Sequence, residues 1–260
     1  MQETDSNSVI KEEQLLEKRL LELSAISFHK DIAVFSDFLS LNELNILHTI
    51  PKGDLGNPYI TFGGYDEAER QMAAFYHDAL CFVKDEFPIS IVNVKPIDRR
   101  FTKQPNHRDY LGAVMNLGID RSKVGDIFVG DNEACIFVAT PLLEFICDNL
   151  TNVSNTLVYI EADSTSGFEY KPKYSEVKGT VASLRIDCVL SLALNISRNQ
   201  IVGLIKGGRV FVNSREITSN SFSIQDDDIV SIRGIGKFQY KGVISKTRKN
   251  RFLVVIHKYV

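Results

Sequence analysis

The sequence predicts an α+β protein in three parts, and three observations support this fold class. Residues 1–86 carry apolar side chains mainly at helical spacing. Residues 87–162 then alternate between strand and helix patterns in the order βαββαβ. Residues 181–260 contain two short helical patterns followed by strand patterns, and they carry an excess of positive charge, unlike the rest of the chain.

Three helices are expected in the N-terminal region. Residues 9–29 interleave leucine and isoleucine with lysine and glutamate, which is typical of an amphipathic helix. Residues 40–49 are expected to form a second helix, because Ser40 and Glu43 have the spacing of a capping box. A third helix is expected over residues 66–84, after a glycine-rich turn.

The middle domain, residues 87–162, has the order of the split βαβ, or ferredoxin-like, arrangement that RRM domains share. RRM domains stack bases on aromatic residues of their two central strands, but here these strands read Ile89-Ser90-Ile91-Val92 and Ala134-Cys135-Ile136-Phe137. The domain is therefore expected to be a spacer or a protein-binding unit, with RNA contact through other groups left open. Its elements are expected at residues 89–94, 108–117, 124–129, 134–139, 141–150 and 156–160.

Residues 163–180 are polar and are expected to form a linker. The C-terminal part, residues 181–260, begins with a helical pattern after Leu184. Ser197 and Gln200 form a second capping-box pattern, so another helix is expected to start there and to end at two glycines. Strands are expected at residues 210–213, 229–232, 238–244 and 252–258, the last two as a closing hairpin.

The charge is divided unevenly along the chain. Residues 1–180 carry 17 Lys and Arg against 28 Asp and Glu, whereas residues 181–260 carry 13 against 5. The resulting net charges of −11 and +8 add up to the −3 of the whole chain. An acidic body with a basic C-terminal part is expected to bind a polyanion through that part.

Arg198 breaks a local rule, because a cation at the first helical position interacts unfavourably with the helix dipole. Its replacement by alanine is expected to keep or slightly raise stability and to weaken RNA binding. The helix N-terminus and the nearby cations are expected to seat a phosphate, although a solvated polar face could explain any one of these cations. The expected RNA-binding residues are Arg185, Ser197, Arg198, Asn199, Lys206, Arg209, Asn213, Arg215 and, in the hairpin loop, Lys246, Arg248, Lys249 and Arg251.

Leu184-Arg185-Ile186-Asp187, Ser197-Arg198, the run from Leu204 to Asn213 and the run from Asp228 to Gly234 resemble the S4 (αL-type) domain of ribosomal and ribosome-associated proteins. Two turns differ from the family, which usually has Asn-Gly and Gly-Asp where this chain has Asn213-Ser214 and Asp227-Asp228. Upstream, the runs from Phe62 to Arg70 and from His107 to Ile119 resemble YlmH-type bacterial S4 proteins. The resemblance therefore covers nearly the whole chain.

The resemblance implies a non-enzymatic RNA-binding protein of the large ribosomal subunit. It implies binding to ribosomal RNA, tRNA or both, in ribosome-associated quality control or in the rescue of stalled subunits that hold peptidyl-tRNA. It also implies an older association with cell division. The expected partners are RNA and the large subunit, and the protein is expected to be a monomer that binds no membrane.

An RNA-modifying enzyme of the pseudouridine synthase type is the rival class, and an adaptor for cell division or ribosome assembly is another alternative. Pseudouridine synthases place a large catalytic domain after their S4 module, whereas only 27 residues follow Arg233. Tyrosyl-tRNA synthetases need a Rossmann unit with signatures that residues 1–180 do not show. No catalytic residue is therefore expected.

No cofactor or metal is expected, because the five histidines show neither His-x-x-x-His spacing nor pairing with cysteine. The four cysteines have no close pair, which favours free thiols in a reducing compartment. The sequence shows no signal peptide and no apolar run of membrane-spanning length. A cytoplasmic protein is therefore expected.

Overall fold

The computed structural model describes residues 2–76, 86–98, 105–130, 133–165, 168 and 173–259, with side chains from residue 11 onward. The chain divides into two compact units, residues 1–169 and residues 170–260. Both units combine helices with antiparallel sheets, so the predicted α+β class is confirmed.

The N-terminal part of the first unit packs two helices against a small sheet. The second helix begins as predicted, because the Ser40 hydroxyl accepts a hydrogen bond from the Glu43 N–H and the Glu43 carboxylate accepts one from the Ser40 N–H. Leucines from both helices form the core with Phe75. The elements are α1 (Gln2–Lys30), β1 (Val34–Phe35), α2 (Leu41–Thr49), β2 (Tyr59–Phe62) and β3 (Met72–Phe75), with the sheet in the order β1-β3-β2.

The prediction of a helix over residues 66–84 is wrong for the residues of this range that the structure describes. Met72–Phe75 form β3, the central strand of the small sheet, and all four residues are buried. A strand that is buried on both faces reads as a continuous apolar run, which cannot be told from a buried helix by periodicity. The rest of that expectation, residues 77–85, lies outside the described residues.

The remainder of the first unit has the βαββαβ order that the sequence predicts, with one added two-residue strand, Asn152–Val153, before the last strand. The central strand pairs are antiparallel, and both helices pack on one face of the sheet, where Val92, Val114 and Ile146 are fully buried. The elements are β4 (Ile89–Pro96), α3 (His107–Met115), β5 (Val124–Val129), β6 (Ala134–Ala139), α4 (Leu143–Asn149), β7 (Asn152–Val153) and β8 (Thr156–Ser164), in the sheet order β5-β6-β4-β8-β7.

The second unit is a six-stranded antiparallel sheet with two helices on one face, where Ile186, Ile201 and Val254 lie in a single core. Its two helices and four of its six strands lie where the sequence predicts them, whereas the strands at Tyr174–Val181 and Arg215–Glu216 were not predicted. The elements are β9 (Tyr174–Val181), α5 (Ile186–Leu194), α6 (Arg198–Lys206), β10 (Val210–Val212), β11 (Arg215–Glu216), β12 (Ile229–Ile232), β13 (Gly236–Lys246) and β14 (Phe252–Tyr259), in the sheet order β11-β10-β12-β13-β14-β9.

The structure shows strands rather than a linker in half of the range 163–180. Residues 163 and 164 end β8, and Tyr174–Val181 form β9, which pairs with β14 along its whole length. The second compact unit consequently begins at Tyr170 rather than at residue 181. Polar composition misled the prediction, because an edge strand with one face open to solvent can be polar at most positions.

The turn between β10 and β11 is left-handed at two non-glycine residues. Asn213 has φ 48° and Ser214 has φ 64°. The Asn213 side chain is anchored, because its amide donates to Asp228 Oδ1 at 2.8 Å and its oxygen accepts from the Ile229 N–H at 3.0 Å. The altered turn therefore keeps the conformation that Asn-Gly favours, at the steric cost of a side chain at residue 214.

We expect Ser214→Gly to stabilise the protein by about 0.5–1 kcal/mol, because glycine adopts a positive φ without the Cβ clash. Thermal denaturation should show a melting temperature higher by a few degrees. Ser214→Val is the contrasting variant and should melt earlier, because a β-branched residue strongly disfavours positive φ. A glycine variant that melts with or before the valine variant would show that this turn carries no strain.

Candidate RNA-binding site

The N-termini of α5 and α6 meet at Asp187. The Asn195 backbone takes the left-handed conformation that ends α5, with φ 54°, and the two helices are bent by 114° at the break between them. Ser197 then caps α6 through a capping box with Gln200, as the sequence predicts. This sharp return brings the first residue of α6, Arg198, to the first turn of α5.

Asp187 holds two guanidinium groups. Its side chain is 2 % exposed, and it accepts hydrogen bonds from Arg185 Nε and Nη2, both at 3.1 Å, and from Arg198 Nη2 at 2.6 Å. Burial alone would raise the pKa of Asp187, but the hydrogen bonds from Arg198 and Arg185 outweigh it and hold the pKa below its usual value. The carboxylate therefore stays charged and fixes both arginines in place.

This arrangement corrects the expectation about Arg198. The cation at the helix N-terminus is compensated by an ion pair with a buried carboxylate, so its removal is no longer expected to be neutral or stabilising. Sequence reasoning missed Asp187 as part of the site. The only local signal was an acidic residue in the first turn of α5, two residues after Arg185.

The two arginines remain available to a ligand. Their side chains are 39 % and 52 % exposed. A guanidinium has five N–H donors, and the contacts to Asp187 use two donors of Arg185 and one of Arg198. Arg185, Arg198 and Asp187 together carry a net charge of +1. The two arginines, called the positioned arginine pair below, are therefore held in place and still attract an anion.

The other cations expected near this site have mixed roles. Lys206, at the last turn of α6, and Arg215, on β11, are exposed. Arg209 is exposed but donates through Nε and Nη2 to the carbonyl of Arg233, whose own guanidinium lies 5.5 Å from the Phe211 ring centre. Arg209 is therefore held by the fold, whereas Lys206 and Arg215 are the better candidates for phosphate contact.

Three polar residues of the predicted site can be placed as well. Asn213 anchors its turn, and the Ser197 hydroxyl caps α6, so both have structural roles. Asn199, in the first turn of α6, is exposed. Capping residues are common for structural reasons alone, and of the three only Asn199 has a side chain without a defined role in the fold.

The hairpin of β13 and β14 carries the last four expected cations. Arg251 donates to the carbonyl of Thr180 at 2.7 Å and to its hydroxyl at 3.2 Å, which ties the hairpin to β9. The Lys246 ammonium lies 4.9 Å from the Phe252 ring centre. Arg248 and Lys249 are exposed in the loop between the strands.

The sheet face of the middle domain is covered where an RRM would stack bases. The Phe137 ring is fully buried beneath Tyr65 and Phe168, with ring centres 5.4 and 5.0 Å away. Gly64 makes this approach possible, because a Cβ there would lie 2.4 Å from the Phe137 ring. Tyr65 is fixed in turn by donating its hydroxyl to Asp126 at 2.6 Å.

The exposed part of that face is acidic. Burial of the Cys135 thiol is the main cause that raises its pKa to about 12, and the nearby carboxylates of Asp163 and Glu133 contribute in the same direction. Lys95, on the same strand face, pairs with Glu161 at 2.5 Å. An acidic surface repels phosphate, so this face is poorly suited to RNA.

Three further features bear on the classes of function. Within the described residues, no group of three or more His, Cys, Asp or Glu side chains could hold a metal ion. Cys135, Cys147 and Cys188 are free thiols. In the same part of the chain no single helix is long and apolar enough to cross a membrane, and α5 and α6 pass that test only as a bent pair.

Known families match both domains that follow the N-terminal region. A family model described as "Putative RNA-binding domain in YlmH" matches residues 83–166, and the S4 domain model matches residues 184–230. The protein "Ribosome-associated protein quality control protein P2" of Bacillus subtilis (strain 168) is 29 % identical over 225 residues, which are 86 % of each chain. The predicted S4 domain is thereby confirmed at the site built from α5 and α6.

A solved structure shares the fold. "Cell division protein ylmH from Streptococcus pneumoniae" aligns with a TM-score of 0.50 at 22 % identity, over 61 % of this chain and 95 % of that chain. At this identity the alignment shows a common architecture.

Proposed function

Because the chain is a YlmH-type S4-domain RNA-binding protein, we propose that it binds ribosomal RNA, tRNA or both on the large ribosomal subunit. The observation that carries this proposal is the positioned arginine pair. Arg185 and Arg198 are held at two adjoining helix N-termini and remain about half-exposed, in a region with a net charge of +8. Fixed guanidiniums of this kind suit the phosphate backbone of structured RNA.

The proposed setting is ribosome-associated quality control, acting on stalled large subunits that still hold peptidyl-tRNA. The name of the Bacillus subtilis relative supports this setting, since it places that protein in ribosome-associated quality control. The proposed role is non-enzymatic, because the model that matches residues 83–166 is described as a putative RNA-binding domain and the S4 domain is expected to bind RNA as well. The protein would act as a monomer in the cytoplasm, where such subunits arise.

Sedimentation of cell lysate on a sucrose gradient tests the proposal. The protein is expected to travel with large subunits, and these fractions are expected to be enriched in peptidyl-tRNA. The Arg185→Ala/Arg198→Ala variant should shift toward the top of the gradient, because it lacks the positioned pair. Lys18→Ala, at an exposed position of α1, is the matched control and should sediment as the unmodified protein does.

Two results would contradict the proposal. Protein found only at the top of the gradient would exclude stable subunit binding. Protein found on large subunits without peptidyl-tRNA would replace the quality-control role with one in ribosome assembly. Either result can be read without knowing which RNA helix is contacted.

A further inference from the structure

The C-terminal sheet has a second face that is not covered by α5 and α6. Along β14, Val254 and Ile256 point into the core beneath the helices. Side chains alternate between the faces of a strand, so Val255, His257 and Tyr259 point to the opposite side. The part of this outer face that β13, β14 and the edge strand β9 form lies outside the matched S4 residues 184–230.

Aromatic rings are concentrated at one end of this outer face. The rings of Tyr174 and His257 stack with centres 3.9 Å apart and planes within 9° of parallel. Tyr259 is the cross-strand partner of Tyr174, and the Lys237 ammonium lies 5.2 Å from the Tyr259 ring centre. Tyr174 is 52 % exposed, so a flat aromatic surface next to cations is open to a ligand.

The charges on this face also suit a polyanion. Glu176, the cross-strand partner of His257, pairs with Lys178 at 2.7 Å. From His257 the strand runs six residues to Arg251, which is about 20 Å at 3.3 Å per residue. Arg251 is exposed and adjoins the hairpin loop with Arg248 and Lys249. The aromatic surface is thereby continuous with a basic loop along a single strand.

We propose that Tyr174 and His257 form a platform on which an unpaired RNA base stacks, while the hairpin loop contacts phosphates a few nucleotides further along the same RNA strand. Stacking on an aromatic ring accepts any base, because every base has a π-face, and nearby cations hold the backbone. The inference rests on the proposed RNA-binding function and adds to it a preference for RNA with unpaired nucleotides beside structured RNA. The favoured contact is RNA rather than protein because the region carries a strong excess of positive charge.

Binding of the full-length protein to two fluorescent RNAs tests the platform. One RNA is a blunt duplex, and the other is the same duplex with a single-stranded extension of about eight nucleotides. Tyr174→Ala is expected to weaken binding of the extended RNA about tenfold and to leave binding of the blunt duplex unchanged. Its salt dependence should stay the same, because no charge is lost.

Two further variants make the test specific. Tyr174→Phe keeps the ring and should bind the extended RNA as the unmodified protein does. Tyr159→Ala is the matched control, because this tyrosine is 43 % exposed on β8 of the other unit and should have no effect. Equal melting temperatures of the Tyr174 variants would show that the fold is intact.

The outcomes separate the platform from RNA binding in general. If Tyr174→Ala binds both RNAs normally, the platform is wrong and salt-dependent duplex binding still supports the proposed function. Loss of affinity in Tyr174→Phe would equally exclude stacking as the cause. If the unmodified protein binds neither RNA, both the proposed function and the platform are wrong.

Discussion

RNA binding by the full-length protein is expected to weaken roughly a thousandfold when salt rises from about 50 to 200 mM. The estimate assumes about six phosphate contacts, each of which releases a counterion when it forms. Six of the predicted cations have exposed or half-exposed side chains and, unlike Arg209, Lys246 and Arg251, do not contact a backbone carbonyl or an aromatic ring in the contacts described above. They are Arg185, Arg198, Lys206, Arg215, Arg248 and Lys249.

Fluorescence anisotropy over a salt series measures this slope. Arg248→Ala/Lys249→Ala should lower the slope by about two units and weaken binding similarly for RNAs of different sequence, since phosphates carry no base identity. Lys18→Ala, on α1, should leave the slope unchanged. Binding that does not respond to salt would remove the electrostatic basis of the proposed function. The measurement requires the full-length protein, because a fragment starting at residue 181 would lose nearly all of β9 from its sheet.

Features that depend on neighbours in sequence could be predicted from the sequence. The capping boxes at Ser40 and Ser197 join residues three apart, and both are present in the structure. The hairpin of β13 and β14 also joins nearby segments, and its strands pair as expected. Local spacing fixes such contacts whatever the rest of the chain does.

Features that depend on distant residues were missed. Strand β3 is buried between β1 and β2, and β9 becomes a strand by pairing with β14, about 80 residues further on. The same limit applied to the site, where the partner of Arg198 is Asp187, eleven residues earlier on another helix. Composition identified the basic C-terminal part of the chain, but the tertiary fold decides which of its cations are bound to other protein groups and which are accessible.

Arg185→Ala/Arg198→Ala is expected to lower both stability and RNA affinity. The double variant leaves the Asp187 carboxylate buried without its partners, a change that costs at most about 3 kcal/mol here because both partners are themselves partly exposed to solvent. Thermal denaturation at neutral pH should therefore show an earlier transition. The salt slope should fall by about two units, one for each lost phosphate contact.

The loss of stability in the double variant should depend on pH in a defined direction. In the unmodified protein the pKa of Asp187 lies below the ordinary value of 3.8, so its contribution to stability is present above that value and is lost as pH falls through the lower folded pKa. In the double variant the arginines no longer hold the pKa down, and burial raises it above 3.8. Protonation then favours the folded state, so the stability deficit should shrink between neutral pH and about pH 4.

A third substitution separates the structural role of this cluster from its role in binding. Adding Asp187→Asn to the double variant keeps the side-chain shape and removes the stranded charge, so much of the lost stability should return while RNA binding stays weak. A triple variant no more stable than the double variant would show that the carboxylate was not the cause of the loss. A double variant that melts earlier yet binds RNA normally would make Arg185 and Arg198 structural residues and place the RNA contact elsewhere in the basic unit.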